Sequence, residues 1–412
     1  MIYTKYEITT LANGIRIISE DIPHVHSVSI GIWIGAGSRY ENEKTNGISH
    51  FMEHLLFKGT ERRTAKGIAE ELDSVGGQIN AFTSRENTCY YARVLDEHVD
   101  LAIDVLADMF YNSKFAESDI DKERGVILEE INMYEDTPDE LIHDYFTQKL
   151  WPNSSLGHSI LGPGENIKSF SRNDFLAYKE KYYIPERIVI SVAGNITHQE
   201  LVKKLSPYFS EQRAVSLPNN SIQPKNSPGF YSLEKDTSQI HLCMGVPALK
   251  QDDPDIYTLF VMNTILGGGF SSRLVQKIRE EKGLAYSVYT YQSSYSDSGY
   301  FAFYGGISPE NFDIVSKLMK NEAIDLVNNS LLAEELEKAK NQMKGNYLLN
   351  LENVSSRMFR LGRSLLTLNK VTSPEEVAEK IDAVSAKNVQ ELAAKLFADN
   401  NWTITTIGPK QV

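Results

Sequence analysis

Two histidines and a glutamate fall within five residues in the run Gly47-Ile48-Ser49-His50-Phe51-Met52-Glu53-His54-Leu55-Leu56-Phe57. The pattern predicts a helix, and at 3.6 residues per turn His50 and His54 lie one above the other with Glu53 beside them. The other side chains, Ile48, Phe51, Met52, Leu55, Leu56 and Phe57, are apolar nearly all round, so the helix should be buried. Two imidazoles and a carboxylate are costly to bury without partners. A metal ion supplies one: neutral imidazoles at i and i+4 suit tetrahedral zinc. Glu53 then stands beside the position that a catalytic site leaves open, where it can serve as a base toward water. The order H-x-x-E-H reverses the more common H-E-x-x-H and is the inverzincin signature. The bland alternative is a helix that carries His, Glu and His by chance.

A catalytic zinc needs a third protein ligand. The segment Glu123-Arg124-Gly125-Val126-Ile127-Leu128-Glu129-Glu130-Ile131 sits in a predicted helix over 117–135. At about 100° per residue, Glu123 and Glu130 differ by only about 20° and share a face with Ile120, Ile127, Ile131 and Tyr134. Glu129 points roughly 120° away, toward solvent. Glu130 is the better ligand, and Glu123 is a carboxylate that could orient a ligand or a water. The competing reading places both acids on a solvated helix face.

The elements around these residues alternate in type. Strands are expected at 6–8, at 15–18 after an Asn13-Gly14 turn, and at 28–34. Helices follow over 47–57 and 65–75, then a hairpin over 79–94, then helices near 97–112, 117–135, 138–149 and 171–182. A strand at 189–194 closes this half. Residues 212–229 are rich in Pro, Asn and Ser and read as a linker between domains 1–211 and 230–412. The order then restarts. A strand at 239–246 precedes helices near 255–266 and 271–282, strands at 285–293 and 299–306, helices near 309–327, 332–350, 354–367 and 374–396, and a strand at 402–408. The expected fold is α+β, with two domains of related topology, each a mainly antiparallel sheet packed with helices.

The 412 residues are 41% hydrophobic and 24% charged, an ordinary composition for a globular chain that can build two cores. The net charge of −13 and a pI near 5.3 argue against nucleic acid or an anionic membrane as partner. No run approaches eighteen apolar residues, and the first residues lack the pattern of a signal peptide, so a cytoplasmic protein is expected. Cys89 and Cys243 each lie in an apolar strand and read as buried thiols in a reducing compartment.

Over nearly its whole length the chain resembles the insulinase/pitrilysin metallopeptidases, in particular the short two-domain type similar to the beta subunit of mitochondrial processing peptidase. The motif residues His50, Glu53 and His54 carry the likeness, with Glu130 lying 76 residues after His54. The resemblance implies that His50, His54 and Glu130 hold one zinc ion per chain, that Glu53 is the base, and that Glu123 is the family's second glutamate. It implies that Gly76-Gly77-Gln78-Ile79-Asn80-Ala81-Phe82-Thr83 is an edge strand to which substrate adds, with Asn80 and Ala81 making main-chain contacts. Arg279 and Tyr286, in Arg279-Glu280-Glu281-Lys282-Gly283-Leu284-Ala285-Tyr286, match a pair that would bind substrate and stabilise an oxyanion. The second half has no copy of the metal motif; its equivalent helix carries only Asp255, Tyr257 and Asn263. Gly267-Gly268-Gly269 is not followed by the Gly-Lys-[Ser/Thr] of a phosphate loop. The resemblance further implies a homodimeric clamshell acting on peptides or unfolded polypeptide, with Arg279 and Tyr286 serving the partner's zinc site. Two rivals remain. One is a non-catalytic scaffold or processing-complex subunit of the same fold, from which the intact motif argues away. The other is a zinc-binding protein without hydrolysis, which would have no need of Glu53.

Overall fold

A computed structural model describes residues 5–210, 223–398 and 401–410. Residues 212–222 of the expected linker lie outside the described residues. The chain forms two compact units. The first takes in residues 5–131, 158–210 and 349–372, and the second 132–157, 223–348, 373–398 and 401–410.

The first unit is built on a six-stranded sheet of β1 (Tyr6–Thr10), β2 (Arg16–Asp21), β3 (Ser27–Ile34), β4 (Gln78–Thr83), β5 (Thr88–Leu95) and β6 (Ile188–Gly194). Their order is β1-β2-β6-β3-β5-β4; β2 and β6 run parallel, and the other neighbours are antiparallel. The expected turn joins β1 to β2. Gly14 has φ +100°, and the Ile15 amide donates to Asn13 Oδ1 at 3.1 Å. Strand β3 is buried from Val28 to Ile34 because both of its faces are covered. Val28, Ile30, Ile32 and Ile34 meet the helices Ile48–Leu56, Ala65–Asp73, Val99–Asn112, Arg172–Tyr182 and His198–Leu205. Trp33, together with Ile18, Cys89 and Val189, meets Met358, Leu361 and Leu365 of the helix Val354–Leu368 on the opposite face.

The second unit holds β7 (Gly229–Glu234), β8 (Ile240–Pro247), β9 (Ala285–Ser294), β10 (Gly299–Ile307) and β11 (Thr403–Gly408), ordered β7-β11-β8-β10-β9. Here β7 and β11 run parallel and the rest antiparallel. One face packs on Ile256–Gly267, Phe312–Asn328, Pro374–Asp382 and Ala386–Phe397. The other is covered by Ile142, Phe146 and Leu150 of the helix Pro138–Leu150.

All strands of the first sheet precede the 212–229 segment, and those of the second begin at its last residue, Gly229. Two helices cross this division, since Pro138–Leu150 packs in the second unit and Val354–Leu368 in the first. The segment read as one helix over 374–396 is two, because Ser385 caps a new helix through a capping box with Asn388. Strand β7 starts at the last residue of the expected linker, in a stretch where no strand is expected. Cys89 and Cys243 are free and buried. Among the described residues, no helix is long and apolar enough to cross a membrane.

Candidate metal centre

The helix Ile48–Leu56 starts in a constrained way. Its first flanking residue, Gly47, has φ +101°, and a Cβ there would meet the Leu161 carbonyl oxygen at 2.6 Å. The buried carboxylate of Glu41 accepts the amides of Gly47 (2.9 Å) and Ser49 (2.8 Å), the Ser49 hydroxyl and the Asn46 side chain. It thereby satisfies orphan donors at a helix N-terminus, where negative charge is favoured. Burial raises the Glu41 pKa, and these hydrogen bonds pull it back. Ile48, Phe51, Met52, Leu55 and Leu56 anchor the helix in the core, which fixes the direction in which His50 and His54 project.

His50, His54 and Glu130 converge, with one donor atom from each lying within 4.8 Å of the others. Glu130 Oε1 is 3.7 Å from His50 Nε2, and Oε2 is 3.7 Å from His54 Nε2. These separations exceed a hydrogen bond. They come close to the roughly 3.4 Å expected between ligand atoms that surround a tetrahedral zinc at about 2.0–2.1 Å. The three groups therefore converge without hydrogen-bonding to one another, and together they could hold one ion. Among the described residues this is the one such His/Cys/Asp/Glu group.

Protonation states suit that role. Burial, then the neighbouring His54, push the His50 pKa down to about 3, so its ring is neutral with a lone pair to give. His54 lies with Nδ1 3.1 Å from Glu123 Oε2. A proton on Nδ1 donated to that carboxylate leaves Nε2 bare toward Glu130. The other Glu123 oxygen is 2.7 Å from the Lys58 ammonium.

Glu123 is buried, Glu130 half-buried and Glu129 exposed, as the helical spacing predicts. Glu53 is half-buried, and its Oε2 accepts a hydrogen bond from the Thr83 hydroxyl at 2.5 Å. Burial raises the Glu53 pKa, the Thr83 bond and His54 lower it, and Glu130 raises it again. A carboxylate held above its ordinary pKa next to a cluster of metal-type ligands can exchange protons with water.

Asn80 and Ala81 lie on β4, which among the described residues pairs only with β5 and is the edge of the sheet. Asn80 is exposed, and its Oδ1 accepts from the Ala81 amide at 2.8 Å. In the second unit, Arg279 belongs to the π-helical turn Val275–Glu280 and Tyr286 to the start of β9. The Arg279 guanidinium lies 5.4 Å from the Tyr286 ring centre and 5.6 Å from that of Phe270. Both rings are exposed, Tyr286 at 81% and Phe270 at 78%. The sequence assigns no role to Glu41, Lys58 or Phe270, and Thr83 enters it only as the last residue of the edge-strand run. Glu41 and Thr83 reach the metal helix through tertiary contacts with no fixed spacing, whereas Lys58, four residues after His54, was within reach of a helical-spacing argument.

The chain matches the family model described as Insulinase (Peptidase family M16) over residues 16–164, and that described as Peptidase M16 inactive domain over 169–343. The metal helix and Glu130 fall in the first match, Arg279 and Tyr286 in the second. A Bacillus subtilis (strain 168) protein named uncharacterized zinc protease YmxG is 44% identical over 400 residues, covering 97% of each chain. A Streptomyces coelicolor protein named uncharacterized zinc protease SCO5738 is 38% identical over 97% of this chain and 89% of its own. Among solved structures, a protease from Helicobacter pylori superposes with a TM-score of 0.93 at 21% identity, over 98% of this chain and 100% of that one. Matched in both halves and to whole-length relatives, the chain belongs to the insulinase (M16) peptidase family as a short, two-domain member.

Proposed function

We propose that the chain is a zinc-dependent endopeptidase acting on peptides or unfolded polypeptide segments, with one zinc ion per chain held by His50, His54 and Glu130. The observation that carries the reading is the convergence of these three groups within 4.8 Å, with the Glu53 carboxylate on the same helix. When bound, zinc polarises the scissile carbonyl and makes water more acidic. Glu53 takes a proton from the attacking water and passes it to the leaving amine. Glu123 keeps His54 in the tautomer whose Nε2 faces the site.

Substrate lies along the open edge of β4, contacting Asn80 and Ala81 as an added strand. Arg279 and Tyr286 hold the substrate carbonyl and steady the oxyanion. Their exposure and mutual packing support a role at a surface completed by a second copy, so that in a homodimer the pair serves the partner's zinc site.

The test is cleavage of an internally quenched peptide library by purified protein, with and without a zinc chelator, alongside Glu53→Gln at matched zinc content. Chelation should abolish cleavage and zinc should restore it, while Glu53→Gln should lower kcat by about 10²- to 10⁴-fold. A zinc-loaded wild type inert toward diverse peptides would favour a non-catalytic scaffold or processing-complex subunit.

A further inference from the structure

We infer that Thr83 is a positioning residue for hydrolysis: its hydroxyl fixes one oxygen of the Glu53 carboxylate and leaves the other to face the attacking water. The inference rests on the peptidase reading. The Thr83 hydroxyl donates to Glu53 Oε2 at 2.5 Å, and among the described residues Oε1 accepts no side-chain hydrogen bond. A glutamate at helix position i+3 has three rotatable bonds, so without a tether its carboxylate would sample several rotamers. A hydroxyl donating to a carboxylate is one of the stronger hydrogen bonds available to restrain it.

Thr83 is itself held rigidly. Along β4 the side chains of Ile79 and Ala81 pack into the core that contains the metal helix, while Phe82 packs on the opposite face against Trp33. Strand alternation puts Thr83 on the helix side, with Ile79 and Ala81. It is the last residue of the strand and pairs with Thr88. The following turn closes through Ser84 N to Asn87 O at 2.8 Å. That turn is clamped to the segment before the metal helix by Ser38 N to Ser84 O (3.3 Å), Arg39 N to Arg85 O (2.8 Å) and the buried pair Arg39–Glu86 at 2.5 Å. The hydroxyl thus projects from a fixed backbone. The same strand carries the edge to which substrate would add and the group that aims the base, so a strand docked on β4 is registered against Glu53.

The experiment compares zinc-loaded wild type, Thr83→Val and Thr83→Ser. Valine keeps the shape and the strand preference and removes the hydroxyl; serine keeps the hydroxyl. Thr83→Val should lower kcat by about 10- to 100-fold, the span of one hydrogen bond to a charged group. KM, zinc affinity and Tm should be unchanged, and Thr83→Ser should recover most of the rate. A crystal structure of zinc-loaded Thr83→Val should show the Glu53 carboxylate in more than one rotamer. Wild-type kcat in Thr83→Val, or an unmoved Glu53 in its crystal structure, would overturn the inference and leave the peptidase reading standing. An inert zinc-loaded wild type would overturn both.

Discussion

Glu123 lies with one carboxylate oxygen 3.1 Å from Nδ1 of His54. Its other oxygen is bound to Lys58 at 2.7 Å, so a buried acid links a half-buried ammonium to an imidazole that faces the metal cluster. Replacing Glu123 by Gln should free the His54 ring and its tautomer, and weaken zinc binding by about 10- to 100-fold. Competition against a chromogenic chelator measures this. Glu129→Gln, on the exposed face of the same helix, should bind zinc as wild type does. Equal affinity in all three proteins would remove Glu123 from the site.

Gly47 offers a test of how the metal helix is placed. Gly47→Ala would force a Cβ into a left-handed backbone and toward the Leu161 carbonyl oxygen. Strain of this kind costs about 1–3 kcal/mol. Urea unfolding of the zinc-free protein should show a loss of that size, and zinc affinity should fall with it because His50 lies three residues on. A fully stable variant with native affinity would mean that the helix start can shift without moving His50.

The acid limb of stability should be set in part away from the metal cluster. Asp108 is buried, so burial pushes its pKa up, but hydrogen bonds from Thr60, Asn112, Arg63 and Arg62 outweigh this and hold it at about 2. A depressed carboxylate contributes stability that is fully present above the unfolded value of about 3.9 and lost as pH falls through the folded value. Between about pH 4 and pH 2 the zinc-free protein should therefore lose stability. Asp108→Asn should be less stable at pH 7, by about 3 kcal/mol, with a flatter profile in that window. Urea midpoints from pH 5 down to pH 2 decide it.

If Arg279 and Tyr286 serve a partner's site, two defects in different subunits should complement. Glu53→Gln and Arg279→Ala homodimers should each be nearly inactive, whereas the mixed dimer keeps one site with both Glu53 and Arg279. Mixing under subunit exchange should recover up to about half the wild-type rate per mixed dimer. A dead mixture, with exchange verified by mass, would return the pair to its own chain or remove it from the reaction.

The parts of the candidate site carried by a single helix could be read from spacing alone. His50, Glu53 and His54 are near neighbours, and the seven-residue interval between Glu123 and Glu130 returns to the same helix face, leaving exposed Glu129 outside it. Thr83 and Glu41 could not be read this way, because a threonine ending a strand and an acid in a loop look alike whether or not a helix docks beside them. The fold shows the same limit. Alternation identified β2, β3 and β6, yet nothing in it states that β6 inserts between the other two, pairing Val189 with Arg16. The apolar stripe of Val354–Leu368 announces a buried face without naming the sheet, and here the partner is Trp33 and Val189, far upstream.

That late helix also has a consequence for how the protein is made. Strands β1 to β6 leave the ribosome well before residue 354, and until then the face bearing Ile18, Trp33 and Val189 has no cover from water. The second sheet has the reverse dependence, since its cover, Pro138–Leu150, is synthesised before any of its strands. Neither unit is a free-standing product of one half of the chain. Expressed separately, each half would carry a bare apolar surface and tend to aggregate. In the whole protein, the first sheet gains the cover of its second face only when the last seventh of the sequence has emerged.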